Sequence, residues 1–176
     1  PRPKESDIEK YYLDFNYDPH KKNSFSLFSK IYDFVKKYAF KRKLKLIQRY
    51  YTNFGKHLDI GGATGDFCLF MEQNGWSSIN QDISSQALNI SKLNRVNSIK
   101  MLDDSIESES IDLITAWHSI EHIHSIDKMF LEIKRILKPH KYIFLCVPNS
   151  HAVEQKYYRN NWVAWDAPRH LYHFNP

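Results

Sequence analysis

The sequence has little of what builds a secreted scaffold or a membrane span. Its 176 residues hold only two cysteines, Cys68 and Cys146, each inside an apolar run. That count excludes a disulfide framework and predicts two buried thiols in a reducing, cytoplasmic compartment. No apolar run nears the roughly 20 residues a spanning helix needs, the longest being near Tyr142 to Pro148, and nothing reads as a leader segment. Repeats and low-complexity tracts are lacking too. Glycine is scarce, with five in all, so the run Gly61-Gly62-Ala63-Thr64-Gly65 stands out. What the chain does have is 42% hydrophobic and 15% aromatic residues, enough to build a core and to exclude global disorder. The length fits one domain of ordinary size.

Charge of one sign is concentrated rather than spread. The net +5 resolves into a surplus of eight positive charges in residues 1–56 and a deficit of three in 57–176. The basic residues cluster at Lys36, Lys37, Lys41, Arg42, Lys43, Lys45 and Arg49, interleaved with Ile31, Val35, Tyr38, Leu44 and Ile47 at helical spacing. This reads as a solvated helix face over residues 25–51; docking on an anionic partner is the sharper alternative. Because the surplus stays in the arm, a nucleic-acid partner is not expected. Residues 1–56 are therefore a basic arm and helix, and 57–176 the ligand-binding domain.

Beyond Gly55 the pattern alternates. Strands are predicted at His57–Ile60, Ser78–Asp82, Ser98–Leu102, Ile111–Trp117 and Tyr142–Val147, with helices at Asp66–Asn74, Ser85–Val96 and Ser125–Leu137. Five strands separated by helices predict an α/β fold with a doubly wound, mainly parallel sheet.

The glycine run follows the first strand and opens a helix, the position of a ligand loop. A dinucleotide loop wants G-x-G-x-x-G, with pyrophosphate on the helix N-terminus. Counted from Gly61, the sixth position is Asp66, whose carboxylate repels pyrophosphate. The expected ligand has no phosphates, a condition met by S-adenosylmethionine, with its cationic sulfonium and amino-acid tail. Asp82, at the end of the second strand, stands where an acid can accept two ribose hydroxyls. A tight turn beside a surface Asp is the plainer reading.

Several segments in order then carry a resemblance. His57-Leu58-Asp59-Ile60-Gly61-Gly62-Ala63-Thr64-Gly65-Asp66-Phe67 resembles the first motif of class I S-adenosylmethionine-dependent methyltransferases. Asp82-Ile83-Ser84, Ile111-Asp112-Leu113-Ile114 with Ser119-Ile120-Glu121-His122, and Arg135-Ile136-Leu137-Lys138-Pro139 with Val147-Pro148-Asn149 resemble later segments of that family. Trp165 to Phe174, with its Pro168-Arg169-His170-Leu171-Tyr172-His173-Phe174 run, is similar to a tail of one bacterial branch. There are two departures: Gly62-Ala63 replaces the usual Cys-Gly, and His140 stands where the family turns on a glycine.

The resemblance implies a Rossmann-like methyltransferase fold, S-adenosylmethionine as cofactor and a small-molecule, sugar or lipid-type methyl acceptor. It implies that Asp59, Gly61, Gly62 and Gly65 shape the methionine end of the pocket, and that Asp82, with Ile83 beside it, holds the ribose. Asp103 or Asp104 would read the adenine amino group, or be plain surface. Trp117 would face the sulfonium or pack in the core. Methyl transfer gains mainly from alignment and needs a base only where the acceptor carries a proton. His118, His122, His170 and His173 are base candidates that also read as structural contacts. Arg169 would hold an acceptor anion or sit in a salt bridge.

Two other readings remain. His118-Ser119-Ile120-Glu121-His122 spells H-x-x-E-H, the inverted zinc-peptidase motif, but a third protein ligand on a helical scaffold is not legible, so no metal is expected. A methyltransferase-like module without catalysis, binding a partner through its arm, is the other. Finally, the related enzymes close the sheet with two further strands, whereas the 29 residues after Val147 spell no strand hairpin. The expectation is an amino-terminal portion of a longer enzyme, with the fifth strand left as a hydrophobic edge covered by the Trp162 to Phe174 segment, by the basic arm or, through self-association, by another chain.

Overall fold

The computed structural model describes residues 2–4, 7, 27–51, 53–103 and 105–176. The candidate Asp104 and most of the arm, including Tyr11, Tyr12 and Tyr17, lie outside these residues. The chain divides into two units, Pro3–Asn53 on one side of the division and Phe54–Pro176 with Arg2 on the other. The first unit is built on helix α1 (Leu27–Ile47), which carries the basic cluster; its apolar positions Ile31, Val35 and Tyr38 are exposed.

The second unit holds a five-stranded sheet whose pairings are all parallel. Its elements run β1 (Lys56–Ile60), α2 (Asp66–Glu72), β2 (Ser77–Gln81), α3 (Ser85–Leu93), β3 (Asn97–Ile99), β4 (Ile111–Trp117), α4 (Ile126–Ile136), β5 (Leu137–Cys146) and α5 (Val153–Tyr158). The strand order is β3-β2-β1-β4-β5, so the order reverses between β1 and β4. Ligands of open α/β sheets bind at such a switch point, outside the carboxyl ends of the strands. No sixth or seventh strand occurs among the described residues, and β5 is an edge. Past its end, Asn149 and Phe174 form an isolated parallel bridge.

Alternate residues of the central strands face two different layers. On one face Leu58, Ile60, Ile114 and Ala116 pack with Met129, Ile133 and Ile136 of α4, whose spacing of four and three places them on one helical stripe. Each such burial is worth about 1.5–3 kcal/mol. The other face is less apolar: His57 lies edge-on to Phe67 of α2 and to Trp76, and Asp59 and Thr115 are buried beyond it.

Element ends differ from expectation where glycine does not mark them. Gly75 (φ +94°) closes α2 as foreseen, with Trp76 N–H donating to Met71 O and Gly75 N–H to Glu72 O. Helix α3 stops at Leu93, short of the expected Val96, through the same motif. There Arg95 takes the left-handed position (φ +63°) and Val96 N–H donates to Ser91 O. β5 pairs from Leu137 rather than Tyr142, directly off α4, and then passes an irregularity before regular pairing resumes at Tyr142. His140 sits there with φ +61°, the strained turn that the missing glycine predicts.

Candidate functional site

The loop after β1 is shaped by backbone bonds to the end of β2. Gly61 and Gly62 donate N–H to Gln81 O at 2.8 and 3.1 Å, and Ala63 N–H donates to Asp82 Oδ2 at 2.9 Å. Gly61 (φ +69°) has no room for a side chain, because a Cβ would stand 2.3 Å from Ser119 Cβ. Gly65 (φ +74°) caps α2, and a Cβ there would meet Ser91 Oγ at 2.3 Å. Ala63 is also left-handed (φ +48°), so the departure from the usual glycine carries a local strain of about 1 kcal/mol.

Three carboxylates frame this loop. Asp59 is buried and accepts from Thr115 Oγ1 at 2.5 Å. Asp82 is half-buried, its Oδ1 accepting from Ser84 N–H at 2.8 Å while Oδ2 holds Ala63. Asp66, in the first turn of α2, accepts from Thr64 Oγ1 at 2.9 Å. Asn80 is fully buried; its Nδ2 donates to Ala63 O and Ser91 Oγ, but its Oδ1 has no hydrogen-bond partner and faces Gly62, where a Cβ would lie 2.2 Å away. Ile83 is 71% exposed. Asp103 is exposed, and hydrogen bonds from Ser105 hold its carboxyl below the usual range.

Behind the loop lies a buried polar chain that the sequence did not suggest, since Lys56-His57-Leu58-Asp59-Ile60 reads as an ordinary strand. Thr115 Oγ1 donates to Asp59, so it accepts from His57 Nε2–H at 2.8 Å, and His57 Nδ1 accepts from Ser78 Oγ at 3.1 Å. Every donor is thus assigned, and the imidazole is fixed in one tautomer. Burial lowers the His57 pKa to about 3, so the ring is neutral at physiological pH. Cys68, also buried, has its thiol pKa raised by burial first and then by the charges of Asp59 and Glu72.

The carboxyl end of β4 brings together more groups than spacing predicts. Trp117 is half-buried and edge-on to Phe67, with centroids 5.9 Å apart. His118 (φ +55°) is exposed, and its Nε2 lies 3.3 Å from Cys146 Sγ. Cys146 is therefore only partly buried, against the expectation of two buried thiols, because it ends the edge strand. Glu121 is fully buried and neither carboxylate oxygen accepts a hydrogen bond; His118 Nδ1 is 3.7 Å away, an ion-pair distance. Burial opposes its charge, yet His118, the residue's own backbone and the charges of His122 and His170 together lower its pKa.

The tail returns to this point. Leu171 N–H donates to Glu121 O at 2.7 Å, and the rings of His122 and His170 meet edge-on at 4.7 Å. Burial, followed by the neighbouring His170, lowers the His122 pKa. Arg169 is committed to Asp166 Oδ1, at 3.0 Å from Nε and 2.7 Å from Nη2, in the salt bridge that was one of its two expected roles. His173 Nε2 lies 3.1 Å from Trp165 O. The structure thus clusters His118, His122 and His170 about Glu121 at the end of β4, and the acids about the loop between β1 and β2. Nothing in local sequence could bring His170 to Glu121, since 49 positions separate them.

Residues 27–176 match the model of a family described as a methyltransferase domain. No curated protein sequence matches significantly. Among solved structures, an Archaeoglobus fulgidus methyltransferase dependent on S-adenosylmethionine is 22% identical with a TM-score of 0.63, covering 77% of this chain and 62% of its own. A Thermotoga maritima structure described as a possible histamine N-methyltransferase is 18% identical with a TM-score of 0.63, over 84% of this chain and 69% of its own. A Haemonchus contortus phosphoethanolamine N-methyltransferase holding S-adenosylmethionine is 21% identical with a TM-score of 0.53, over 69% and 32%. The chain thus spans under two thirds of the first of these, and at such identities the likeness is one of fold.

Proposed function

Given that the chain belongs to this family of methyltransferase domains, whose cofactor is S-adenosylmethionine, we propose that residues 57–176 bind that cofactor beside the Gly61–Gly65 loop. We further propose that they carry out methyl transfer to a small-molecule, sugar or lipid-type acceptor. The observation that carries this reading is the link between loop and acid, Ala63 N–H on Asp82 Oδ2 at 2.9 Å. It fixes a carboxylate at the mouth of a loop whose helix N-terminus already bears Asp66. The donor set suits a ligand that is cationic and rich in hydroxyls, and disfavours phosphates. When bound, S-adenosylmethionine supplies an electrophilic methyl group on a sulfonium.

In this reading Asp82 keeps lone pairs for the ribose hydroxyls while its two backbone bonds hold it still, and Ile83 covers the adenine. Asp103, or Asp104, accepts from the adenine amino group. Asp59, Gly61, Gly62 and Gly65 line the methionine end, and Trp117 closes it near the sulfonium. His118 and His122, with His170 from the tail, face the acceptor, orienting it or taking its proton. Free cysteines support a reducing, cytoplasmic setting, and no helix of the described residues is long and apolar enough to cross a membrane. We propose self-association at the outer edge of β5, a reading the exposed Tyr142 and Leu145 support.

Calorimetric titration with S-adenosylmethionine tests the cofactor site. Asp82→Asn is expected to weaken binding about tenfold, or about 1.4 kcal/mol, by removing one charge from the hydroxyl contacts. An unchanged dissociation constant would remove Asp82 from the site. A methyl-transfer screen against cell extract, read by mass spectrometry, identifies the acceptor; cofactor binding without any transfer favours the non-catalytic module.

A further inference from the structure

The cluster around Glu121 has features that methyl transfer does not require. One carboxylate and two imidazoles, from Glu121, His122 and His170, each offer a ligand atom, and these atoms all lie within 4.8 Å of one another. Both rings are oriented from behind. His122 Nδ1 lies 3.1 Å from Arg169 O, and His170 Nδ1 lies 2.8 Å from Ala164 O. A carbonyl can only accept, so Nδ1 carries the proton in each ring and Nε2 carries the lone pair, the arrangement by which backbone groups orient metal-ligating histidines. Glu121 is 0% exposed and neither of its carboxylate oxygens accepts a hydrogen bond; the exposed His118, with Nδ1 3.7 Å from Oε1, faces one of them. Burying a carboxylate this way is strongly unfavourable unless a cation faces it. The other nearby acid, Asp166, has Oδ2 3.6 Å from His170 Nε2 and is tied to Arg169 through Oδ1.

We propose that Glu121, His122 and His170 bind one divalent first-row transition ion of the zinc type. Two imidazoles with one carboxylate select such ions over magnesium and calcium, which prefer oxygen donors. Donors about 2.1 Å from a metal stand roughly 3 to 3.5 Å apart, so modest side-chain rotations close the cluster. The third ligand absent from the H-x-x-E-H reading is supplied by the tail, and His118 is not needed. Three protein donors leave a coordination position for water or an oxygen-bearing acceptor. An ion here takes the lone pairs of His122 and His170, so it replaces their role as bases and leaves that role to His118; the cofactor reading is tested separately, because metal binding is measured without S-adenosylmethionine.

The test uses the full chain, stripped by a chelator and titrated calorimetrically with Zn2+, Mn2+ or Mg2+ alone. One equivalent of Zn2+ is expected, bound at least about 100-fold more tightly than Mg2+. His170→Ala and Glu121→Gln should each weaken Zn2+ on the order of 100-fold, with metal-free melting curves near that of the parent, while His151→Ala at the exposed surface leaves it unchanged. Folded protein that takes up no stoichiometric Zn2+, or uptake that survives both cluster variants, overturns the site. If a variant does not fold, the Co2+ complex of the parent protein decides. Intense visible bands of a low-coordinate nitrogen and oxygen site support the proposal, and the weak bands of aquated Co2+ overturn it.

Discussion

At the amino end of the sheet Asp112 is surrounded by donors. Lys56 N–H reaches Oδ2 at 2.9 Å, Lys138 Nζ reaches both oxygens at 2.8 and 2.9 Å, and Lys141 Nζ lies 3.5 Å from Oδ1. At the carboxyl end, the Glu121 carboxylate and the Asn80 side-chain oxygen are buried with no hydrogen bond. Left-handed residues other than glycine occur at both ends, at Arg95, Glu109 and His140 as well as at Ala63 and His118, so backbone strain does not separate them. Asp112 is thus satisfied by its own neighbours, and it serves the fold. The carboxyl end leaves buried carboxylate and amide oxygens short of partners, which is characteristic of surfaces that act on something else.

The largest effect expected from breaking this contrast lies in the chain Ser78–His57–Thr115–Asp59, which runs through the sheet toward the carboxyl end. His57 has a folded pKa of about 3 against an ordinary 6.5. Above pH 6.5 the ring is neutral in both states and stability is undiminished. As pH falls from 6.5 toward 3, the unfolded chain binds a proton that the native ring refuses, and stability declines by up to about 5 kcal/mol in all. Urea unfolding between pH 7 and 4 should show a proton-linked slope that His57→Gln abolishes; equal slopes would assign the acid sensitivity elsewhere.

Gly61→Ala sharpens the contrast from the other side. A left-handed alanine and a Cβ 2.3 Å from Ser119 should cost about 3 kcal/mol of stability and eliminate cofactor binding, both readable in thermal melts with and without S-adenosylmethionine. At the amino end, Asp112→Asn should lower stability by about 1–2 kcal/mol, while the cofactor dissociation constant stays within about twofold. A large change in affinity would show that the two ends are coupled. The smallest effect is His140→Gly, which relieves φ +61° and should raise stability by about 0.5–1 kcal/mol, seen as a small rise in urea midpoint.

Legibility followed the range of each interaction. The glycine loop, Asp66, the alternation of strand and helix and the stop at Gly75 are local patterns, and the structure has them nearly where residue spacing puts them. Arg95 misled because left-handed caps usually announce themselves with glycine, and this one is held by two backbone bonds alone. His57 is not legible in the sequence because a lone histidine in a strand carries no pattern; its meaning comes from Ser78 and Thr115 on neighbouring strands. The meeting of Glu121 with His170 depends on where the tail lies, set by a backbone bond across 50 positions, from Leu171 to Glu121.

The strand order β3-β2-β1-β4-β5 also carries a history of assembly. Among the described residues β1 is the first strand in chain order and the central one. Its partner β2 follows about 20 residues later, so that half of the sheet closes a short loop, whereas the β4 side must wait for residues 111–117. Loop closure penalises the distant pairing in both entropy and time. A β3-β2-β1 half would therefore emerge first from the ribosome, with one flank of β1 unpaired until β4 and β5 arrive. In this molecule the seam between the early and late halves runs along the same line, between β1 and β4, where open α/β sheets place their ligand crevice.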